Sequence, residues 1–183
     1  MIDPVTIELS LGLAVNSIDT KFRCFAITAW LGALLVMASP SAMADDPAFL
    51  SVGVGYYDVF DDDNAAELRV DYRSNLKFLF VKPFAGAVVT SDGAFFPSAG
   101  LYSDFYFGRR IVISPSSAAG YYIKGDGKDL GHAFEIRSGV EVAYRFDNRA
   151  RLGLLFYHIS NAGLEDDRRG TEVLSLGYSI PLD

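Results

Sequence analysis

The chain has 183 residues, of which 50% are apolar and 14% aromatic, and its formal net charge is −7. This composition excludes a disordered protein and argues against nucleic acid as the main partner. The single cysteine excludes a disulfide framework, and no apolar run reaches the roughly 18 residues of a membrane-spanning helix.

Residues 21–44 have the pattern of a secretory signal peptide. Two cations are followed by an apolar stretch and then by an Ala-Met-Ala cleavage motif at residues 42–44. We predict cleavage after Ala44. Residues 1–44 would then be an N-terminal extension plus signal peptide, and residues 45–183 a single exported β-barrel domain.

Beyond residue 44, apolar and polar residues alternate with a period of two, which predicts β-strands. The predicted strands are residues 48–60, 64–73, 76–90, 94–108, 110–124, 131–147, 150–161 and 171–182. The fold class predicted from these strands is all-β. An even number of strands in an exported chain favours an eight-stranded antiparallel transmembrane β-barrel of the outer-membrane type. A soluble β-sandwich or lipocalin-like barrel is the alternative, because alternation alone does not show which face is wet.

The connections between the predicted strands differ in length. Tight turns are predicted at residues 73–75, 108–109 and 147–149, and longer, more charged connections at residues 61–64, 125–129 and 164–170. Short periplasmic turns and longer outer loops are typical of outer-membrane barrels.

With both termini periplasmic, the aromatic residues are predicted to form two bands, as in the paired girdles of such barrels. The outer band would be Tyr56, Tyr57, Phe95, Phe96, Tyr121, Tyr122, Phe156 and Tyr157. The inner band would be Tyr72, Phe105, Phe107, Tyr144, Phe146 and Tyr178.

Three polar residues interrupt the apolar face of the last two strands. His158 and Ser160 share that face, and Glu172 lies on the corresponding face of the next strand. Pairing of residue 158 with residue 172 would bring their Cβ atoms to about 5 Å. A serine becomes a strong nucleophile when an imidazole takes its proton and a carboxylate orients that imidazole. The pattern predicts an outward-facing hydrolytic triad; the alternative is that these are rim residues in headgroup water.

The run His-Ile-Ser-Asn-Ala-Gly at residues 158–163, followed by Glu172, resembles the motif of the PagL-type lipid A 3-O-deacylases, a family also described as acyloxyacyl hydrolases. The resemblance implies an eight-stranded barrel in the bacterial outer membrane. It also implies an esterase that removes the 3-O-linked acyl chain of lipid A in the outer leaflet. The expected partner is therefore lipid A or lipopolysaccharide, and the sequence leaves open whether the chain forms a homodimer.

The same resemblance implies a role for each matching residue. His158 would be the catalytic base, Ser160 the nucleophile and Glu172 the acid that orients the base. Asn161, together with backbone N–H groups near Gly163, would stabilise the oxyanion.

The loop that follows carries Arg168 and Arg169, which are candidate ligands for lipid A phosphates. The alternative is that they pair with the acidic residues 165–167 beside them. The acidic runs at residues 61–64 and 125–129 lack the spacing of a calcium-binding loop, so no metal and no other cofactor is expected.

Two alternatives to the deacylase remain. One is a non-enzymatic small outer-membrane barrel that acts as an adhesin or scaffold. The other is a phospholipase or acyltransferase on the same fold.

Overall fold

The computed structural model of the chain describes residues 46–60, 64–161 and 170–182. The predicted signal peptide, its cleavage after Ala44 and the start of the exported domain lie outside the described residues. In those ranges no helix has the length and apolar character needed to cross a membrane.

The described residues form antiparallel β segments that close into a barrel. The segments are β1 Ala48–Tyr57, β2 Ala65–Arg73, β3 Lys82–Thr90, β4 Phe95–Tyr102, β5 Phe105–Phe107, β6 Ile111–Tyr121, β7 Phe134–Arg145, β8 Arg151–Ser160 and β9 Gly170–Leu182. β4 and β5 are two parts of one barrel strand, since both pair with β6 in a single register. β1 pairs with β9, and the pairing of β4 with β6 closes the ring. The predicted eight-stranded antiparallel barrel is therefore confirmed.

The burial of the strands shows which face is apolar. On β2, the apolar residues Leu68 and Val70 are 50% and 41% exposed. The charged residues that alternate with them, Arg69 and Asp71, are 0% and 1% exposed. A soluble sandwich would bury the leucine and valine and expose the charges. The reversed order is that of a barrel whose outer wall meets lipid and whose interior holds the polar side chains.

Charged side chains fill the lumen and neutralise one another there. Arg73 donates two hydrogen bonds across the barrel to the Glu141 carboxylate, at 2.9 and 2.7 Å. Nearer the end that carries the chain termini, Arg151 binds both Asp104 and Asp46 at 3.0 Å. Buried charges are tolerated only when they are paired in this way.

The connection between β2 and β3 differs from the prediction. A tight turn was expected at residues 73–75, with a strand starting at residue 76, but β3 begins only at Lys82. The intervening residues form a longer hairpin end in which Phe78 and Val81 pair through two backbone hydrogen bonds. The chain reverses at Leu79, which has a φ of 57°.

The predicted outer aromatic band is wrong for half of its members. Tyr57, Phe96, Tyr122 and Tyr157 are buried on the lumen side, with 1 to 6% of their surface exposed. The reason is geometric, because each of them neighbours another aromatic residue in a strand and successive side chains point to opposite faces. The band that faces lipid consists of the other four, Tyr56, Phe95, Tyr121 and Phe156.

Candidate active site on the outer wall of the barrel

The three residues of the predicted triad lie on β8 and β9, which pair along their whole length. His158 stands directly opposite Glu172, and Ser160 stands directly opposite Gly170. The register assumed from the sequence is therefore confirmed. The three polar residues also share the parity of exposed Phe156, so they belong to the outer wall rather than the lumen.

His158 and Glu172 are in direct contact. The Nδ1 atom of His158 lies 3.1 Å from Oε1 of Glu172, and the two side chains are 44% and 31% exposed. When Nδ1 carries the proton that it donates to the carboxylate, Nε2 is left with a free lone pair. The contact thus provides an oriented imidazole whose other nitrogen can accept a proton.

Gly170 determines where that second nitrogen lies. A Cβ atom built on Gly170 would be 2.4 Å from Cε1 and 3.0 Å from Nε2 of His158. The edge of the ring that is remote from Glu172 therefore lies over Gly170, the cross-strand partner of Ser160. Nε2 of His158 therefore lies on the side of the ring that is next to Gly170. This role of Gly170 was not predicted from the sequence, in which its only signal is a glycine at the start of a strand.

The Gly170→Ala substitution is expected to push the imidazole off its position and to lower kcat by about 10²-fold, because small misplacements of reacting groups have effects of this size. The measurement is steady-state ester hydrolysis by the refolded protein. Gly177→Ala on the same strand is the control, since its Cβ would lie 3.0 Å from the end of the Arg69 side chain in the lumen and no nearer than 3.6 Å to a backbone atom. Full activity of a folded Gly170→Ala variant would show that the ring does not depend on this space.

A buried aspartate, Asp58, binds residues next to the candidate site. Asp58 has a φ of 61° and no exposed surface, and it follows the end of β1. Its Oδ1 atom accepts a hydrogen bond from the Thr171 hydroxyl at 2.8 Å and one from Lys128 at 2.7 Å. The next amide, that of Val59, donates to the backbone carbonyl of Glu172 at 3.0 Å. These contacts fix the backbone of β9 where it carries the carboxylate, and nothing in the sequence indicates them.

Apolar groups border the polar residues on the side towards the middle of the barrel. Phe156 precedes His158 by two residues on the same face and packs edge-to-face against Phe60, with 6.4 Å between the ring centroids. Leu174 stands opposite Phe156 on β9. The outer wall therefore changes from apolar to polar between the pair Phe156–Leu174 and the neighbouring pair His158–Glu172.

Asn161, the predicted oxyanion ligand, is the first residue beyond β8 and is buried. The other predicted ligands, Gly163, Arg168 and Arg169, lie outside the described residues. Within the described ranges, no group of three or more acidic, histidine or cysteine side chains is arranged to hold a metal ion.

Comparison with known proteins gives a family and a fold. Residues 5–181 match the family model described as lipid A 3-O-deacylase (PagL). A crystal structure of the outer membrane enzyme PagL is similar with a TM-score of 0.59 and 22% identity, over 74% of this chain and 100% of that chain. A de novo designed transmembrane β-barrel is similar with a TM-score of 0.55 and 13% identity, over 76% of this chain and 98% of that one. No curated protein sequence matches significantly.

Proposed function

Because the chain belongs to the lipid A 3-O-deacylase (PagL) family, we propose that it cleaves the 3-O-linked acyl ester of lipid A with Ser160, His158 and Glu172. Membership makes the chain a carboxylic ester hydrolase of the bacterial outer membrane that acts on lipid A. The adhesin or scaffold alternative is thereby set aside. The observation that carries the proposed triad is the contact between His158 and Glu172 on the outer wall, with Ser160 on the same face.

The first half of the reaction forms an acyl-enzyme. The Ser160 hydroxyl attacks the ester carbonyl, and its proton passes to Nε2 of His158. Glu172 stabilises the imidazolium through Nδ1. The tetrahedral oxyanion is stabilised by Asn161 and by backbone N–H groups near Gly163. As this intermediate collapses, the bond to the sugar oxygen breaks, and His158 returns its proton to that oxygen.

The second half regenerates the enzyme. Water gives a proton to His158 and adds to the acyl carbonyl, and the bond to the Ser160 oxygen breaks. The imidazolium then returns the proton to Ser160. The products are the 3-hydroxyacyl acid and a lipid A that carries a free hydroxyl at its 3-position, so the reaction consumes one water and needs no cofactor.

The change from apolar to polar along the outer wall suits an ester at the boundary between headgroup and acyl chains. The acyl chain would lie along Phe156 and Leu174, which continue from the site towards the middle of the barrel. The sugar would lie at the level of Ser160, near the outer end of β8. A lipid-facing site also accounts for three polar side chains on a wall where such groups are otherwise costly.

The experiment that tests this function is mass analysis of lipid A from cells that express the chain, compared with cells that lack it. Loss of one hydroxyacyl group per lipid A is the expected result. A gain of one acyl chain would indicate a transferase, and an unchanged lipid A with shortened phospholipids would indicate a phospholipase. Either outcome would contradict the proposal.

Arg168 and Arg169 are expected to bind lipid A phosphates. Reversing both charges to glutamate should raise KM for lipid A several-fold at low salt while leaving kcat for a neutral ester unchanged. The effect should shrink at high salt, because salt screens the attraction between opposite charges. Unaltered turnover of lipid A at both salt concentrations would remove the two arginines from substrate binding.

A further inference from the structure

Among the described residues, the hairpin end between β2 and β3 carries the most exposed cluster of apolar side chains. Leu76, Phe78, Leu79 and Phe80 are 71%, 75%, 75% and 62% exposed. The lipid-facing side chains of β2, by comparison, are 41 to 50% exposed. We call residues 76–80 the apolar tip. Exposed apolar clusters of this kind mark surfaces that meet a membrane or a partner.

The apolar tip is held in a defined conformation. Phe78 and Val81 exchange two backbone hydrogen bonds at 2.9 and 3.1 Å, and the Ser74 amide donates to the carbonyl of Pro83 at 3.0 Å. Leu79 lies in the left-handed region at a φ of 57°, which a leucine rarely adopts. The backbone therefore holds these side chains away from the barrel instead of folding them onto it.

The tip continues a surface that already meets lipid. It extends β2 beyond Tyr72, which is 49% exposed on the outer wall. It also lies at the end of the barrel where β1 begins and β9 ends, opposite the end where Ser160 pairs with Gly170.

The other two turns at this end differ sharply in chemistry. Apart from a glycine, residues 108–110 and 147–149 carry only charged and polar side chains, including Arg110 and Asp147, which form an exposed ion pair. Only the connection between β2 and β3 is apolar at this end of the barrel as described. Lys77 within the tip adds a cation, which suits the phosphate of a phospholipid headgroup.

We propose that the apolar tip inserts into the headgroup–acyl boundary of the phospholipid leaflet and anchors the barrel there on one side. Apolar and aromatic side chains next to a cation are the composition that binds such a boundary. Assignment to the inner leaflet rests on the proposed function, which puts the opposite end in the leaflet that contains lipid A. Insertion itself does not depend on that function.

The test places a tryptophan in each of two turns at the same end of the barrel. Phe78→Trp probes the tip and Asp147→Trp, whose native side chain is 88% exposed, probes a polar turn. Both full-length variants are refolded into phosphatidylcholine vesicles, with or without bromine on the upper acyl chains. The signal of the parent chain, which contains one tryptophan, is subtracted.

The expected result is that bromolipid removes most of the added fluorescence of Phe78→Trp and little of that of Asp147→Trp. Aqueous iodide should quench in the opposite order. Equal quenching of the two variants by iodide, without quenching by bromolipid, would overturn the proposal. Phe80→Trp replaces Phe78→Trp if the latter does not refold. Lipid A mass analysis of the same variants separates the anchor proposal from the proposed function. The tip can fail to insert while lipid A is still deacylated, and the tip can insert while lipid A is left unchanged.

Discussion

Ser160→Ala is expected to lower kcat/KM for lipid A by about 10³-fold or more while leaving the barrel folded. The substitution removes the oxygen that attacks the ester, and the contact between His158 and Glu172 does not depend on it. Folding should be unaffected because Ser160 lies at the end of β8, partly exposed on the outer wall. The measurement is the rate of hydroxyacyl release from purified lipid A, with the folded fraction determined in parallel.

The matched control is Ser117→Ala. Ser117 is also exposed on the outer wall, but it lies on β6 and hydrogen-bonds to Ser138 at 3.3 Å. Its removal should leave hydrolysis at the level of the parent chain. Glu172→Gln should fall between the two variants, because glutamine keeps the shape of the side chain but loses the charge that stabilises the imidazolium. If Ser160→Ala hydrolysed lipid A as fast as the parent chain, another nucleophile would be required.

Arg151→Met is expected to destabilise the barrel, but by less than the usual cost of about 3–5 kcal/mol for leaving a buried charge without its partner, because Lys82 remains 3.2 Å from Asp104 and 3.7 Å from Asp46. Arg151 is 1% exposed and binds the carboxylates of Asp46 and Asp104, as well as the hydroxyl of Tyr106 at 2.8 Å. Methionine fills similar space but carries no donor, so both carboxylates would lose their strongest partner. Equilibrium unfolding by urea in lipid vesicles measures the effect.

Arg110→Met is the control for the same change of side chain on the surface. Arg110 pairs with Asp147 at 2.7 Å in an exposed setting, where ion pairs contribute little. We expect no measurable shift of its unfolding midpoint. A similarly small shift for Arg151→Met would mean that lumen water replaces the guanidinium.

The strands could be predicted from the sequence because apolar and polar side chains alternate strictly where one face of the strand meets lipid and the other faces the lumen. From Glu67 to Arg73 on β2 every second residue is a buried charge, and from Leu152 to Phe156 on β8 every second residue is an apolar group facing outward. The candidate triad could be predicted for the same reason, since parity alone places His158 and Ser160 on one wall. The register that brings Glu172 opposite His158 could only be assumed, because strand parity does not fix it.

The features that the sequence missed have no local signal. The turn at Leu79 contains no glycine, proline or asparagine, and its apolar neighbours look like a strand that continues. The contacts of Asp58 with Lys128 and Thr171 join three distant parts of the chain, so no spacing indicates them. Half of the outer aromatic band was predicted wrongly because pairs such as Tyr56 and Tyr57 were placed together, although the pleat sends them to opposite faces.

The paired charges inside the barrel also affect whether ions can cross the membrane through the protein. Two of the charged side chains that project into the lumen, those of Arg69 and Arg151, have no more than 1% of their surface exposed. We therefore expect the barrel to conduct few ions when it is reconstituted in a planar bilayer. An enzyme with this property could be present in many copies without making the outer membrane leak.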